Sequence, residues 1–138
     1  MKIVLDTNVL LISLPLKSRY RPIFDSLRAG EFELVVSNDI LLEYHEKISE
    51  KTSSEIAENV LKLILSLENC TLQSTFFEWG LMHNDEDDNK YADCALVASA
   101  DHLVSEDRHF NILKDIDFPR LSVIRADVFL ELVKSRQH

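Results

Sequence analysis

Residues 2–8 have the sequence KIVLDTN, and this stretch decides the fold. Its three consecutive apolar residues, Ile3-Val4-Leu5, predict a strand that is buried on both faces, because a half-exposed strand would alternate apolar and polar residues. A second continuous apolar run, Leu34-Val35-Val36, has the same character. Helical patterns separate these runs, which is typical of a parallel sheet covered by helices on both faces. The sequence therefore predicts an α/β fold with a parallel sheet.

The remaining elements are predicted from β-rich runs and from apolar residues at helical spacing. Strands are expected at Lys2–Leu5, Phe32–Val36, Cys70–Leu72, His102–Val104 and Leu121–Ile124. Helices are expected after a cap at Ser37 or Asn38, over Ser53–Glu68 with Thr52 and Glu55 as a capping box, from about Asn89 to Ala100, and from about Ala126 to Lys134.

Length and composition limit the possible classes of protein. With 138 residues, of which 46% are hydrophobic, residues 1–138 are expected to form a single domain. The only glycines are Gly30 and Gly80, which excludes glycine-rich phosphate-binding loops. The two cysteines are too few for a disulfide framework or a zinc site, and Asp6 and Asn8 interrupt the apolar N-terminal run where a signal peptide would be continuous. A cytoplasmic protein that does not enter a membrane is expected.

The net charge of −9 argues by itself against a polyanionic substrate, because nucleic-acid affinity comes largely from Lys and Arg. Two arrangements would remove that objection. Carboxylates that converge on bound cations would be neutralised locally, and a basic partner or a second subunit would complete an RNA groove.

Acidic side chains occur where a ligand site is expected, beyond the carboxyl ends of strands. Asp6 ends the first predicted strand, Glu43 lies on the helix that follows the second, and Asp107 follows a later strand. Asp88 begins a helix whose small residues, at positions 92 and 95, share its face. If these carboxylates converge, each pair at about 5 Å would repel by roughly 3 kcal/mol at an effective dielectric of about 20. Such a cluster would need raised pKa values or a divalent cation, for which oxygen ligands indicate Mg²⁺ or Mn²⁺.

The ordered motifs of the chain resemble those of PIN-domain proteins, most closely the toxins of bacterial and archaeal toxin–antitoxin systems that are related to VapC. The motifs are Asp6-Thr7-Asn8, Ser37 through Glu43-Tyr44, Asp87-Asp88-Asn89-Lys90 and Ser105-Glu106-Asp107. The resemblance covers nearly the whole chain. It implies a three-layer α/β/α sandwich and an endoribonuclease that cleaves single-stranded RNA with Mg²⁺ or Mn²⁺. It also implies a cognate antitoxin and a homodimer.

The resemblance also implies roles for particular residues. The metal-binding and catalytic quartet would be Asp6, Glu43, Asp88 and Asp107, and the supporting residues would be Asn8, Ser37, Asp93 and Ser105. Asn8 would orient Asp6, Asp93 would add a water-mediated ligand, and Ser105 would hold the site near Asp107. Ser105 stands where threonine is usual in the family, which keeps the hydroxyl group. Within the acidic run 85–88, Asp88 is chosen by its spacing from Ala95 and Asp107.

Simpler interpretations of the same residues remain open. Asp6 and Asp107 would serve equally well as helix caps, Glu43 as a solvated helix residue and Asp88 as part of an exposed acidic loop. Two other functions are also open: a catalytically inactive PIN-like module that binds RNA or protein, and a phosphohydrolase with Asp6 as nucleophile. Asn8 occupies the position where an aspartate-based phosphatase would carry its second acidic residue.

Overall fold

A computed structural model of the chain describes residues 1–74, 86–107, 110 and 121–136, and the side chains of residues 86–89 lie outside that description. The elements follow in the order β1 (Lys2–Leu5), α1 (Thr7–Ser13), α2 (Arg21–Arg28), β2 (Glu33–Val36), α3 (Asn38–Lys51), α4 (Ser54–Ser66), β3 (Cys70–Leu72), α5 (Glu86–Val97), β4 (His102–Val104), β5 (Val123–Ile124) and α6 (Ala126–Ser135).

The sheet has the strand order β3-β2-β1-β4-β5, and every pair of neighbouring strands is parallel. The α/β prediction is thereby confirmed, with the α/β/α layering that it implied. Strand β1 lies in the middle, and the chain order runs away from it in both directions. The point between β1 and β4 is therefore a topological switch point, where the carboxyl ends of parallel strands open a crevice.

The continuous apolar runs form the core, as predicted. Ile3, Val4 and Leu5 of β1 are completely buried. Helix α5 packs against β1 and β4, and its face toward the core includes the buried Ala92 and Ala95. Small side chains at these positions allow a close approach of helix and sheet, and that approach brings the helix to the switch point.

Both cysteines are free thiols, as predicted. Cys70 is half-buried and Cys94 is buried. Burial, with a smaller contribution from the charge of Asp93, raises the pKa of Cys94 to about 12. This thiol therefore stays protonated at neutral pH and packs as a small apolar side chain.

The predicted capping box at Thr52 is wrong by one residue. Ser53 is the N-cap of α4, and its hydroxyl accepts a hydrogen bond of 3.2 Å from the backbone N–H of Ile56. Thr52 instead ends α3, where its hydroxyl donates to the carbonyl of Ile48 at 2.6 Å. The two helices meet at adjacent residues, so each polar side chain serves a different helix end.

The predicted helix ends also need correction. Helix α4 ends at Ser66 instead of Glu68, and α5 spans Glu86–Val97 instead of Asn89–Ala100. The end of α5 has a clear cause: Ser99 adopts a φ of 54° and the backbone N–H of Ala100 bonds to the carbonyl of Ala95 at 2.8 Å. This geometry is a Schellman motif, which usually uses glycine, so the serine at position 99 did not indicate a helix end.

Helices α1 and α2 were not predicted. Helix α1 has only seven residues and begins directly after β1. The apolar residues continue from the strand through Leu11, so their pattern does not separate the helix from the strand. Helix α2 has eight residues and carries Pro22 in its first turn, a position that tolerates proline. Among the described helices, none combines the length and the apolar character that crossing a membrane requires.

Candidate functional site

Asp6 lies at the end of the central strand and is 5% exposed. Its backbone N–H donates to the carbonyl of Val104 at 3.0 Å, and the Tyr44 hydroxyl donates to the carbonyl of Leu5 at 2.6 Å. Asp6 occupies the N-cap position of α1, yet its side chain makes no capping hydrogen bond. The backbone N–H of Asn8, in the first turn of α1, nevertheless lies close enough to the carboxylate to lower its pKa, so the start of the helix stabilises part of the negative charge.

Ser105 connects Asp6 to the segment that follows β4. Its hydroxyl donates to Oδ2 of Asp6 at 2.7 Å and accepts from the backbone N–H of Asp107 at 3.0 Å. Ser105 is 2% exposed, so these hydrogen bonds are shielded from water. They join the ends of β1 and β4 across the switch point, which is the position predicted for this supporting residue.

The pKa of Asp6 is raised above its ordinary value of 3.8, mainly because the carboxyl group is buried. The hydrogen bond from Ser105 and the nearby backbone N–H of Asn8 lower it, and the negative charges of Glu43 and Asp107 raise it further. Two of the other predicted carboxylates, Glu43 and Asp107, therefore lie within electrostatic range of Asp6.

Glu43 projects from α3 into a network of hydroxyl groups and one ammonium group. Its Oε2 accepts a hydrogen bond from Thr7 Oγ1 at 2.7 Å and another from the Tyr91 hydroxyl. Its Oε1 forms an ion pair with Lys90 Nζ at 2.9 Å. The hydroxyl oxygens of Thr7 and Tyr91 also lie within hydrogen-bonding distance of each other, so the two hydroxyl protons are shared among three oxygens. Glu43 is thus not a solvated helix residue.

Sequence reasoning did not single out Thr7, Lys90 or Tyr91. Thr7 and Tyr91 are buried, and the network joins α1, α3 and α5, whose residues lie far apart in the chain. Thr7 and Lys90 belong to motifs that were recognised, but no local pattern showed that they contact Glu43. Only the position of Thr7 directly after Asp6 could have indicated from the sequence that Thr7 belongs to the site.

The remaining predicted site residues lie in different elements and differ in their exposure. Ser37 is the N-cap of α3 and accepts a 3.2 Å hydrogen bond from the backbone N–H of Ile40. Asn8 is exposed, and Asp93 is buried on α5. Asp88 lies in the first turn of α5, with its side chain outside the described residues.

The donors around Asp6 are carboxylate and hydroxyl oxygens, which suit Mg²⁺ or Mn²⁺ better than softer metals. A positive charge nearby would also stabilise the buried Asp6, which the charges of the half-buried Glu43 and Asp107 repel. Within residues 1–74, 90–107, 110 and 121–136, however, no three acidic, histidine or cysteine side chains are already gathered as a metal-binding group. Glu43 is directed to Lys90 instead. The carboxylate and hydroxyl oxygens suit such a cation. In this structure, however, Glu43 pairs with Lys90, and the described side chains do not form a ready-made set of metal ligands.

An apolar groove of about 920 Å³ begins beside this site. It lies between α1, α2, α4 and the end of α3, with Leu11, Phe24 and Leu63 among its lining residues. Asn8, two residues after Asp6, lines it as well, so the groove extends to the start of α1 next to the acidic site.

Asp6→Asn is expected to increase the free energy of unfolding near pH 7 when EDTA removes metal. Because the folded protein raises the pKa of Asp6, ionisation destabilises the fold as the pH rises through that pKa, and the deficit vanishes below 3.8. A difference of one pKa unit corresponds to about 1.4 kcal/mol. Asparagine does not ionise, so the advantage of the variant should grow as the pH rises from 3.8 through the raised pKa of Asp6 and should level off above it.

Urea unfolding at several pH values measures this effect. Asp39→Asn is the control, because Asp39 is an exposed residue of α3. A variant at position 6 that is equally stable or less stable than the unaltered protein near pH 7 would show that Asp6 carries no burial penalty.

Comparison with known proteins identifies the family of this chain. Residues 2–109 match the model of a PIN domain family. The fold is similar to that of the crystal structure of VapBC2 from Rickettsia felis bound to a DNA fragment from their promoter, with a TM-score of 0.63, 19% sequence identity, and coverage of 91% of this chain and 98% of that chain. At this identity the likeness shows the fold alone. No curated protein matches the sequence. Because the family model spans most of the chain, the chain belongs to the PIN-domain family.

Proposed function

We propose that this protein is a divalent-metal-dependent endoribonuclease that cleaves single-stranded RNA. One observation carries the proposal: the Asp6 carboxylate lies at the switch point of a parallel sheet, where burial, with a smaller contribution from the charges of Glu43 and Asp107, raises its pKa. A buried group with a perturbed pKa at such a position is a candidate for function. Membership of the PIN-domain family supports the same reaction class.

The quartet of Asp6, Glu43, Asp88 and Asp107 would hold Mg²⁺ or Mn²⁺. The bound ion would orient the phosphodiester, lower the pKa of the attacking water and stabilise the leaving oxygen. Ser105 fixes one oxygen of Asp6 by a 2.7 Å hydrogen bond, and the carboxylate held in this way would supply a metal ligand. Asn8, Ser37 and Asp93 are proposed as supporting residues, with Ser37 acting through the N-terminus of α3.

A bound cation would also reduce the repulsion of a polyanionic substrate that the net charge of −9 implies. The ion would neutralise part of the local negative charge at the point where a phosphate must approach. The preference for RNA over DNA follows from the family resemblance, so both substrates belong in the test.

Asp6→Asn and Glu43→Gln are each expected to reduce Mn²⁺-dependent cleavage of a mixed pool of single-stranded RNAs by roughly 100-fold or more, because each removes negative charge that holds the cation. Cleavage is measured by gel electrophoresis with fluorescent RNA and with DNA of the same sequences. Asp39→Asn and Glu46→Gln are the matched controls, since both residues are exposed on α3 and carry the same charge.

Retained activity in both controls and its loss in both site variants would support the nuclease. Equal cleavage by all five proteins would indicate a contaminant. Absence of cleavage in the unaltered protein would favour the alternative, a catalytically inactive PIN-like module that binds RNA or protein.

We further propose that the protein is the toxin of a toxin–antitoxin pair, with a cognate antitoxin as partner. The similar chain of known structure belongs to VapBC2, a complex bound to promoter DNA. The apolar groove offers a surface for an amphipathic segment of such a partner. Arg28 and Lys51 line it, so a segment with acidic residues beside an apolar face would be complementary. Asn8, which lines one end of the groove, also follows Asp6 closely in the chain, so an occupant of that end would lie on the same helix start as the proposed acidic site.

Ile56→Glu is expected to weaken binding of the protein encoded by an adjacent small reading frame by roughly tenfold or more, because it places a charge in the apolar groove. Ile56 lines the groove and is 46% exposed, so the fold should tolerate the change. Leu65→Glu is the control, since Leu65 is on the same helix, is 53% exposed and does not line the groove. Equal binding by both variants, measured by titration calorimetry, would place the partner elsewhere.

The homodimer, the single domain over residues 1–138 and the cytoplasmic location stay predictions from the sequence.

A further inference from the structure

Lys90 is placed between the acidic site and the aromatic ring that follows it in the chain. Its Nζ lies 2.9 Å from Oε1 of Glu43, and the two side chains are only 19% and 20% exposed. The same ammonium group is 5.8 Å from the centroid of the Tyr91 ring, close enough for a cation–π contact. Lys90 therefore differs from a surface lysine such as Lys47, whose ion pair with Glu50 on α3 is longer and more exposed.

The hydrogen bonds of Glu43 divide its two oxygens between different partners. Oε2 accepts from Thr7 and Tyr91, which fixes the direction of the carboxylate. Oε1 is the oxygen that contacts a cation, and in this structure the cation is the ammonium of Lys90. The Glu43 oxygen that does not accept from these two hydroxyls is thus paired with a positive charge supplied by the chain itself.

We propose that Lys90 is a tethered competitor of the divalent cation: its ammonium occupies Oε1 of Glu43 when no metal is bound, and metal binding displaces it. The inference rests on the proposed metal-dependent function and adds a residue that sets the metal affinity. Lys90 acts through Glu43, so it is a positioning residue.

Electrostatics favours an exchange over joint occupancy. An ammonium and a divalent cation on the same carboxylate oxygen would repel each other strongly at a site so little exposed. Lysine has a flexible four-carbon stem with a compact charge at its end, so the ammonium can leave Glu43 while the helix stays in place. The pair with Lys90 also offsets the negative charge of the site before metal arrives, which weakens the attraction for the metal.

Lys90→Met tests the exchange, because methionine keeps the unbranched apolar stem and removes the charge. Mn²⁺ binding is measured by titration calorimetry, without RNA, on the unaltered protein and on Lys90→Met, Lys90→Arg and Lys47→Met. Lys90→Met is expected to bind Mn²⁺ at least roughly threefold more tightly, since the competing charge is gone. Lys90→Arg should stay within about twofold of the unaltered protein because it keeps a charge on Glu43. Lys47→Met removes the same charge elsewhere and should also stay within about twofold.

A second measurement follows the lysine directly in the unaltered sequence. Lysine side chains are labelled with ¹³C-methyl groups, which preserves their charge, and their NMR signals are followed during a Mg²⁺ titration. The Lys90 signal, assigned by its absence in Lys90→Arg, should move with saturation of the site, while the Lys47 signal should not. This readout is independent of whether Lys90→Met folds.

The outcomes separate this inference from the proposed function. If the unaltered protein binds Mn²⁺ but Lys90→Met binds no more tightly, or the Lys90 signal does not respond to Mg²⁺, the exchange is overturned and the metal site stands. If neither the unaltered protein nor Lys90→Met binds Mn²⁺, both the metal site and the exchange are overturned.

Discussion

The buried carboxylate of Asp6 is the constraint on which the rest of the site depends. An ionised group with this little exposure is costly to bury, and the charges of Glu43 and Asp107 add to the cost. The fold offsets part of it with the hydroxyl of Ser105 and holds the carboxylate at the end of the central strand. Burial of this charge destabilises the folded chain, and buried groups with shifted pKa values are concentrated at functional sites, which is the reason for the cation proposed here.

Two interactions act on the negatively charged side chains of the site. Ser105 joins Asp6 to the backbone of Asp107 across the switch point, so the carboxyl ends of β1 and β4 keep a fixed spacing. On the other side, Lys90 pairs with Glu43. The first interaction orients a carboxylate without cancelling its charge, and the second cancels charge. If a divalent cation displaces Lys90 as proposed, the stability of the metal-free protein and its affinity for metal would be opposed at this site.

Sequence patterns predicted the structural features that depend on local composition. Continuous apolar runs gave the buried parallel strands, and polar residues after β1 and β4 located Asp6 and Ser105. The end of α5 was missed because Ser99 adopts a backbone conformation that normally signals glycine. The hydroxyl network around Glu43 was missed for a different reason: Thr7 and Tyr91 are 84 positions apart, and only the packing of α1, α3 and α5 brings them together. Periodicity reports which face of an element is buried, not which side chains meet across elements.

The most direct test of the central claim, that Asp6 is a ligand of a divalent cation, is anomalous diffraction at the manganese edge from crystals of the unaltered protein soaked in Mn²⁺. The account predicts an anomalous peak within direct bonding distance of an Asp6 carboxylate oxygen, with the Ser105 hydrogen bond retained. Manganese peaks that occur only elsewhere on the protein, with Asp6 bonded to Ser105 and to no metal, would contradict it.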